Sequence, residues 1–270
     1  MLSLILFDDD ASARWEPFAL TRPGGELVFG TMTLRARAER VFGARCVAHL
    51  APEHLRGFEE AGAPPVLGYH EAPGDEDRLF LSARAVPAWG SGEAWTERRA
   101  GAVVIGGELV GWFAPAGTPA PEPGFFRSPA DVDDGGAVTL PGKTIGRVWE
   151  LMSLTPAQIT EDVARLFPGA KTAELPQGVH VLGEHPVIVG DGVVIEPGVV
   201  FETSDGPVWL DDGSRVRAFA RIAGPVYVGK QSMVLGGSVE QASIGPVCRI
   251  RGEFAESVAV GYVNKAHDGH

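Results

Sequence analysis

The sequence predicts an α/β domain followed by a parallel β-helix, and two patterns lead to this fold class. In the first part of the chain, apolar runs typical of buried strands alternate with amphipathic segments typical of helices. In the last part, apolar residues recur at every sixth position, whereas a strand repeats at about two and a helix near 3.6. A period of six is the signature of a parallel β-helix. We therefore divide the chain into an α/β domain at 1–142, a linking helical segment at 143–174 and a β-helix at 175–270.

The α/β domain begins with a short buried strand at residues 2–7, an apolar run that ends at Asp8-Asp9-Asp10. Loops at this end of a parallel strand often bind ligands. An amphipathic helix is predicted at 31–42, because its apolar residues share one side and Gly43 can stop it. The elements that follow are a strand at 45–50, a short helix from Pro52 to Ala61, a strand at 77–82, a hairpin of 102–105 and 108–113 around Gly106-Gly107, and a Pro-rich loop at 114–124.

The linking segment is predicted to be a helix over 143–167, with Trp149 among the residues of its apolar face. Thr155-Pro156 should break this helix internally, because proline lacks a backbone donor and clashes with the preceding turn. Pro168-Gly169 ends it.

The β-helix is predicted from apolar anchors that stack on the anchors of neighbouring coils. Turn residues often follow an anchor, as in Ile244-Gly245-Pro246. Extra residues between Phe201 and Leu210, and between Val234 and Ile244, should form bulged corners or loops. Chance periodicity in a segment rich in Val and Gly is the alternative. The anchors are Val189, Ile195, Phe201, Leu210, Val216, Ile222, Val228, Val234, Ile244 and Ile250.

Composition excludes several classes of protein. The chain has 270 residues and a formal net charge of −12. We do not expect sequence-independent binding of nucleic acid, because such binding needs clustered cations. Cys46 and Cys248 stand alone, which favours buried thiols over a zinc site or a disulfide framework. The apolar start has no basic region and no apolar run approaches about 18 residues, so neither a signal peptide nor a membrane span is predicted. We expect a cytoplasmic protein.

Motifs at both ends resemble those of one enzyme family. Near the start, Leu4-Ile5-Leu6-Phe7-Asp8-Asp9 is followed by Pro17-Phe18-Ala19-Leu20-Thr21-Arg22-Pro23. The last part contains Gly224-Pro225-Val226-Tyr227-Val228-Gly229, Ile244-Gly245-Pro246, Gly252-Glu253 and Asn264-Lys265-Ala266-His267-Asp268-Gly269. Together these resemble the bacterial sugar nucleotidyltransferases that carry a hexapeptide acyltransferase domain. The model of this group is the bifunctional N-acetylglucosamine-1-phosphate uridyltransferase and glucosamine-1-phosphate acetyltransferase.

The resemblance implies a Rossmann-like nucleotidyltransferase-type domain followed by a left-handed parallel β-helix of hexapeptide repeats. In relatives such β-helices pack side by side, so the resemblance also implies a homotrimer. The chain ends at His270, where relatives continue into further hexapeptides. We therefore expect either a shortened chain or a short member of the family.

The family's chemistry implies site residues in the first domain. Relatives bind a nucleoside triphosphate with a glycine-rich loop after the first strand, with flanking cations, and with a metal-binding aspartate on a later strand. Here the loop from Asp8 to Arg14 has no glycine, and Ser82-Ala83-Arg84 stands where Gly-Asp is expected. Candidate phosphate contacts are Arg14 and the pair Thr21 and Arg22, with Arg22 preferred. Asp8 or Asp9 is the candidate ligand of Mg²⁺, and a solvated loop or helix cap is the alternative for the three aspartates.

In the second domain, the resemblance places His267 on the catalytic base of the acetyltransferases, with acetyl-coenzyme A as the acyl donor. A histidine can serve as a general base because its ordinary pKa lies close to neutral. Arg249 or Arg251 would hold a sugar phosphate, and Lys265 would make a second phosphate contact. A frayed terminus is the alternative for His267.

Three hypotheses for the function follow, and the first two belong to different classes. The first is a sugar-1-phosphate nucleotidyltransferase-like enzyme of nucleotide-sugar biosynthesis with an acetyltransferase domain. The second is a non-catalytic scaffold that binds a nucleotide sugar or sugar phosphate and is trimerised by its β-helix. A β-helix that only oligomerises is a third. The loop without glycine and the missing aspartate favour binding over turnover in the first domain, and the motifs leave the nucleotide base and the sugar open.

Overall fold

The computed structural model describes residues 1–129 and 137–267. The chain divides into two units, of which the first holds Met1–Leu27 and Thr33–Val148 and the second holds Val28–Met32 and Trp149–His270. No helix in the two described ranges is long and apolar enough to cross a membrane. Cys46 and Cys248 are both buried free thiols.

The described residues within 1–148 form short strands joined by loops, 3₁₀ turns and three α-helices. The helices are α1 (Leu34–Phe42), α2 (Ser91–Ala94) and α3 (Pro123–Arg127). The strands are β1 (Leu2–Phe7), β2 (Val28–Phe29), β3 (Met32–Thr33), β4 (Arg45–Leu50), β5 (Val66–Leu67), β6 (Asp77–Ser82), β7 (Ala85–Pro87), β8 (Gly101–Ile105), β9 (Glu108–Ala114), β10 (Val138–Leu140) and β11 (Gly142–Thr144).

The first unit is organised around a seven-stranded sheet with the strand order β10-β8-β9-β6-β1-β4-β5. β1 pairs in parallel with β4 on one side and with β6 on the other, whereas β9 pairs antiparallel with both β6 and β8. Alternate residues of β1 enter two different hydrophobic clusters, Leu4 and Leu6 in one and Ile5 and Phe7 in the other. Both faces of β1 are therefore buried, which explains why its last four residues are all apolar.

Several predicted elements are confirmed with their bounds. β1, β4 and β6 span the predicted residues, and the predicted hairpin is formed by β8 and β9, each one residue longer than predicted. Helix α1 begins later than predicted because Thr33 caps it, its side chain accepting a hydrogen bond from the Ala36 backbone N–H. Gly43 ends α1 in the left-handed region at a φ of 58°, as its position predicts.

Two predicted helices differ from the structure. Residues 52–61 contain only a 3₁₀ turn at Glu53–Leu55, since just Leu55 and Phe58 offer apolar contacts and Gly57 interrupts the segment. The helix predicted from residue 143 starts later, because Gly142–Thr144 pairs as strand β11 with β7. Two helices follow, α4 (Glu150–Ser153) and α5 (Thr155–Leu166), and the predicted break at Thr155-Pro156 separates them. Trp149, predicted on the apolar face, is exposed.

The second unit is built from short parallel strands in an eight-stranded and a five-stranded sheet, an arrangement consistent with a β-helix. Its strands are β12 (His180–Leu182), β13 (Val187–Val189), β14 (Val194–Ile195), β15 (Val200–Glu202), β16 (Val208–Leu210), β17 (Arg215–Val216), β18 (Arg221–Ala223), β19 (Val226–Val228), β20 (Met233–Glu240), β21 (Ser243–Ile244), β22 (Arg249–Ala255), β23 (Val258–Ala259) and β24 (Asn264–Lys265).

The predicted anchors line the core of the second unit. Every anchor from Ile195 to Ile250 is buried in one hydrophobic cluster, and Val189 packs against it half-buried. Anchors pair with anchors across the ladders: Leu210 pairs with Val228, and Val228 with Ile244. Apolar side chains therefore stack along the interior from rung to rung. The left hand of the β-helix and its trimerisation stay predictions.

Helix α5 covers one face of this unit. Ile159 and Val163 pack against Ile188 and Tyr227, and the Trp209 ring lies 5.0 Å from the rings of both Phe167 and Tyr227. The side chain of Asp162 makes a separate polar contact, in which it accepts hydrogen bonds from the backbone and hydroxyl of Thr31.

Residues 28–32 form a short excursion that belongs to the second unit. The Gly30 N–H donates to the Thr155 hydroxyl at 3.1 Å, and the Ser243 hydroxyl donates to the Gly30 carbonyl at 2.6 Å. Phe29 within the excursion is fully buried.

Candidate functional site

The predicted site of the first domain lies where β1 and β6 end side by side. Phe7 pairs with Ser82 in the last register position of the two strands, so Asp8 and Asp9 leave the sheet beside the segment after β6. β1 has parallel neighbours on both sides, β4 from the segment that follows it and β6 from a later one. A position of this kind, where connections leave a parallel sheet in opposite directions, is where α/β proteins bind ligands.

Asp9 is buried, and its carboxylate is surrounded by donors from its own unit. Oδ1 accepts hydrogen bonds from the backbone N–H groups of Ala11 and Ser12 at 3.1 and 2.9 Å. Oδ2 accepts from the Ser82 hydroxyl at 2.9 Å and from Arg84 Nε at 2.8 Å. The backbone bonds shape the loop after β1, because they let the side chain of Asp9 initiate the 3₁₀ turn at Ser12–Arg14.

Asp8 lies beside Asp9 in a different environment. Both of its carboxyl oxygens face the Gly24 N–H, at 3.0 and 3.2 Å, and the hydroxyl of Tyr69 donates to its backbone carbonyl at 2.7 Å. Burial raises the pKa of Asp8 from 3.8 to about 7, with a further rise from the charge of Asp9 and an opposing effect of the Gly24 hydrogen bond. Asp8 therefore changes its charge near neutral pH.

A raised pKa in the folded state makes stability depend on pH. The folded protein binds the proton of Asp8 more tightly than the unfolded chain does. The contribution of Asp8 to the free energy of unfolding is therefore fully present below its ordinary pKa of 3.8 and is lost as the pH rises through about 7. We expect Asp8→Asn to reduce this fall in the free energy of unfolding, measured by urea denaturation across that pH range. Asp10→Asn is the control, since Asp10 is exposed, and an equal flattening in both variants would contradict the assignment to Asp8.

The arrangement of the two aspartates does not fit the predicted Mg²⁺ ligand. Mg²⁺ demands near-octahedral oxygen ligands and usually keeps several waters. The Asp9 oxygens already accept five donors, one of them a guanidinium, and both oxygens of the buried Asp8 carboxyl face the Gly24 N–H. In the described parts of the chain, no three His, Cys, Asp or Glu residues are grouped so that they could hold a metal ion.

The candidate phosphate contacts of the first domain differ in their exposure and in their partners. Arg14 is exposed at the end of the 3₁₀ turn, and the Thr21 hydroxyl donates to the Phe18 carbonyl within its own turn. Arg22 is half-buried, with Nη1 3.1 Å from Glu60 Oε2 and the guanidinium over the ring of Phe58. Within Thr-Arg-Pro-Gly, the backbone N–H of Gly24 contacts Asp8.

In the second unit, three of the four predicted residues lie together near strands β22 and β24, namely Arg251, Lys265 and His267. The Lys265 ammonium donates to the backbone carbonyls of Arg251 and His267, at 2.8 and 3.3 Å. The side chain of His267 is exposed, and Arg249 is exposed on β22, where it pairs in register with Asn264 of β24. The roles of these four residues in acyl transfer stay predictions.

Gly24 and Gly25 belong to the site, although no role was predicted for them from the sequence. A Cβ on Gly24 would lie 3.0 Å from Asp8 Oδ1, and one on Gly25 would lie 2.7 Å from Cε1 of His49. Two glycines directly after the Thr-Arg-Pro motif were the available signal, because such pairs mark a close approach of the backbone.

A buried acid–base cluster next to this loop was also missed. His49 Nε2 lies 2.7 Å from Glu26 Oε1, and Arg35 hydrogen-bonds the same carboxylate. Burial acts to raise the pKa of Glu26, but the hydrogen bonds from His49 and Arg35 outweigh it and hold the pKa below its ordinary value. No pattern in the sequence joins His49 to Glu26, since the contact depends on tertiary structure.

Comparisons with known proteins identify the family. None of the curated proteins matches the chain. A family model described as sugar nucleotidyl transferase matches residues 4–171, which is more than half of the chain and includes most of β1, the aspartates, Arg22, β6 and Arg84. The chain therefore belongs to the sugar nucleotidyl transferase family.

Proposed function

We propose that this chain transfers a nucleotidyl group from a nucleoside triphosphate to a sugar 1-phosphate, using the carboxyl edge of the sheet in its first unit. In this reaction a phosphate oxygen of the sugar attacks the α-phosphorus, the bond to the β-phosphate oxygen breaks, and pyrophosphate leaves. The observation that carries the proposal is the family match over residues 4–171, which spans the whole edge formed by β1 and β6.

The residues at this edge support binding of an anionic substrate. The chemistry needs cations and backbone donors for phosphates, together with precise positioning of the reacting groups. The Arg84 side chain reaches Asp9 at this edge, and Arg22 lies two residues before Gly24, whose N–H donates to Asp8. Because the two aspartates do not fit a metal ion, we assign them no part in holding one during the reaction.

A second candidate is a protein that binds a nucleotide sugar without turning it over. The observation in its favour is the internal pairing of Asp9, together with the absence of glycine from the loop between Asp8 and Arg14. An assay of pyrophosphate release, with the four common nucleoside triphosphates and a panel of sugar 1-phosphates in the presence of Mg²⁺, separates the two candidates. Release supports transfer, whereas binding of the same substrates without release supports the scaffold.

Arg22→Ala is expected to abolish thermal stabilisation of the protein by UDP- or dTDP-sugars. A ligand at about 100 times its dissociation constant stabilises a protein by about 2.7 kcal/mol, so the lost shift should amount to several degrees. Differential scanning fluorimetry measures it. Arg56→Ala is the matched control, because Arg56 is an exposed arginine of the same unit that also pairs with glutamates. If none of the nucleotides raised the melting temperature of the wild type, the binding role would be contradicted.

The acyl-transfer role of the second unit, with His267 as base and acetyl-coenzyme A as donor, stays a prediction, as do the homotrimer and the cytoplasmic location.

A further inference from the structure

The carboxyl edge of β1 and β6 already holds a cation beside its buried carboxylate. Arg84 Nε lies 2.8 Å from Asp9 Oδ2, and the Arg84 side chain is 11% exposed. Two backbone N–H groups and the Ser82 hydroxyl also meet the charge of Asp9. The positive charge of Arg84 is therefore only partly compensated by Asp9, and the guanidinium is held in a fixed orientation.

The other end of the guanidinium reaches a carboxylate near the surface. Arg84 Nη1 lies 3.0 Å from Glu108 Oε2, and the Glu108 side chain is 49% exposed. The other oxygen of Glu108 accepts a hydrogen bond from the Thr144 hydroxyl at 2.8 Å. Because the Glu108 carboxylate is half exposed, water can solvate it when it leaves Arg84, so another anion can replace it at little cost.

An arginine fork with its Nε fixed is well suited to a phosphate. The guanidinium presents planar donors that match two oxygens of a phosphate or carboxylate, and it keeps its charge at every physiological pH. Holding Nε on a buried carboxylate removes much of the entropy that a free arginine would lose on binding. One side of the oriented Arg84 guanidinium is therefore covered only by the Glu108 carboxylate, which another anion can replace.

We propose that Arg84 binds a phosphate group of the substrate by exchanging Glu108 for it, and that this guanidinium takes the place of a protein-bound divalent cation. Glu108 then acts as a competing anion that closes the site when no substrate is present. This inference rests on the proposed function, and it identifies the ligand as a diphosphate or triphosphate bound without a metal ion held by the protein.

The test measures binding of inorganic pyrophosphate and of UDP-glucose by isothermal titration calorimetry, once in excess EDTA and once in excess Mg²⁺. We expect the wild type to bind in EDTA. Arg84→Ala should weaken binding about 10- to 100-fold, the range that corresponds to loss of a hydrogen bond to a charged group. Glu108→Gln should tighten binding, since the amide keeps the hydrogen bond from Thr144 but no longer competes as an anion.

Glu108→Gln also keeps the proposal testable if Arg84→Ala fails to fold, because Glu108 is half exposed and its loss leaves the Asp9–Arg84 pair intact. Binding in EDTA that is stronger in Glu108→Gln would support the proposal. Binding by the wild type only with Mg²⁺ would overturn this inference and leave the proposed function standing. Binding in EDTA that neither variant alters would overturn the role of Arg84 alone. Failure of the wild type to bind either probe in both buffers would overturn the proposed function as well.

Discussion

Asp9→Ala is expected to lower the free energy of unfolding of the first unit by about 3–5 kcal/mol, the usual result of removing one partner of a buried ion pair. The change leaves Arg84, the Ser82 hydroxyl and the N–H groups of Ala11 and Ser12 without their acceptor. Each buried donor left without an acceptor lowers the free energy of unfolding further. Urea denaturation followed by circular dichroism would show the loss.

Asp10→Ala is the matched control for this experiment. Asp10 is the next aspartate in the chain, but its side chain is 59% exposed and 3.8 Å from Arg127 Nε, so its removal should change stability by less than about 1 kcal/mol. Equal effects of the two substitutions would contradict the buried role of Asp9 and would favour a solvated cluster of three aspartates.

Phe201→Ala is expected to destabilise the second unit by about 3–5 kcal/mol, the range for removing a fully buried aromatic side chain from a core. Phe201 has no exposed surface and lies between rungs of the stacked interior, where it pairs with Val181 and Ile222 across the ladders. The close packing of that interior leaves a cavity that the neighbouring anchors cannot fill. Thermal and urea unfolding both measure the effect.

Phe219→Ala makes a matched control, because Phe219 is the same residue type in the same unit and is 84% exposed. Its substitution should change the free energy of unfolding by less than about 0.5 kcal/mol. If Phe201→Ala were as mild as Phe219→Ala, the stacked interior would not be the source of stability in this unit. Separate transitions for the two units would allow each change to be assigned to its own unit.

The parts of the fold that the sequence predicted well depend on short-range pattern. β1, β4 and β6 were predicted with their bounds because each is a largely buried run that stops at or close to a polar or turn-forming residue, namely Asp8, Pro52 or Ser82. The end of α1 was predicted because Gly43 adopts a left-handed conformation that few other residues tolerate. The six-residue period predicted the buried anchors because each anchor repeats the same local environment.

The parts that were not predicted depend on tertiary contacts. Residues 142–144 have no local feature of a strand, and they form one because β7 offers a partner. Asp8 and Asp9 were placed correctly at the edge of the sheet, but their donors come from residues that only the register of β1 and β6 and the path of the Thr-Arg-Pro-Gly segment bring near. The same holds for the contact of His49 with Glu26.

The excursion at residues 28–32 has a consequence for the order in which the chain can fold during synthesis. The second unit includes a peptide made early by the ribosome, and the bond from Ser243 to Gly30 joins residues 213 positions apart. Contacts of such separation form late, after nearly the whole chain has emerged. Until then the apolar side chains of Val28 and Phe29 are not yet buried by the second unit, so the nascent first unit carries an exposed apolar peptide. A gene fragment cut at residue 148 would retain that peptide, and a fragment starting at residue 149 would lack it.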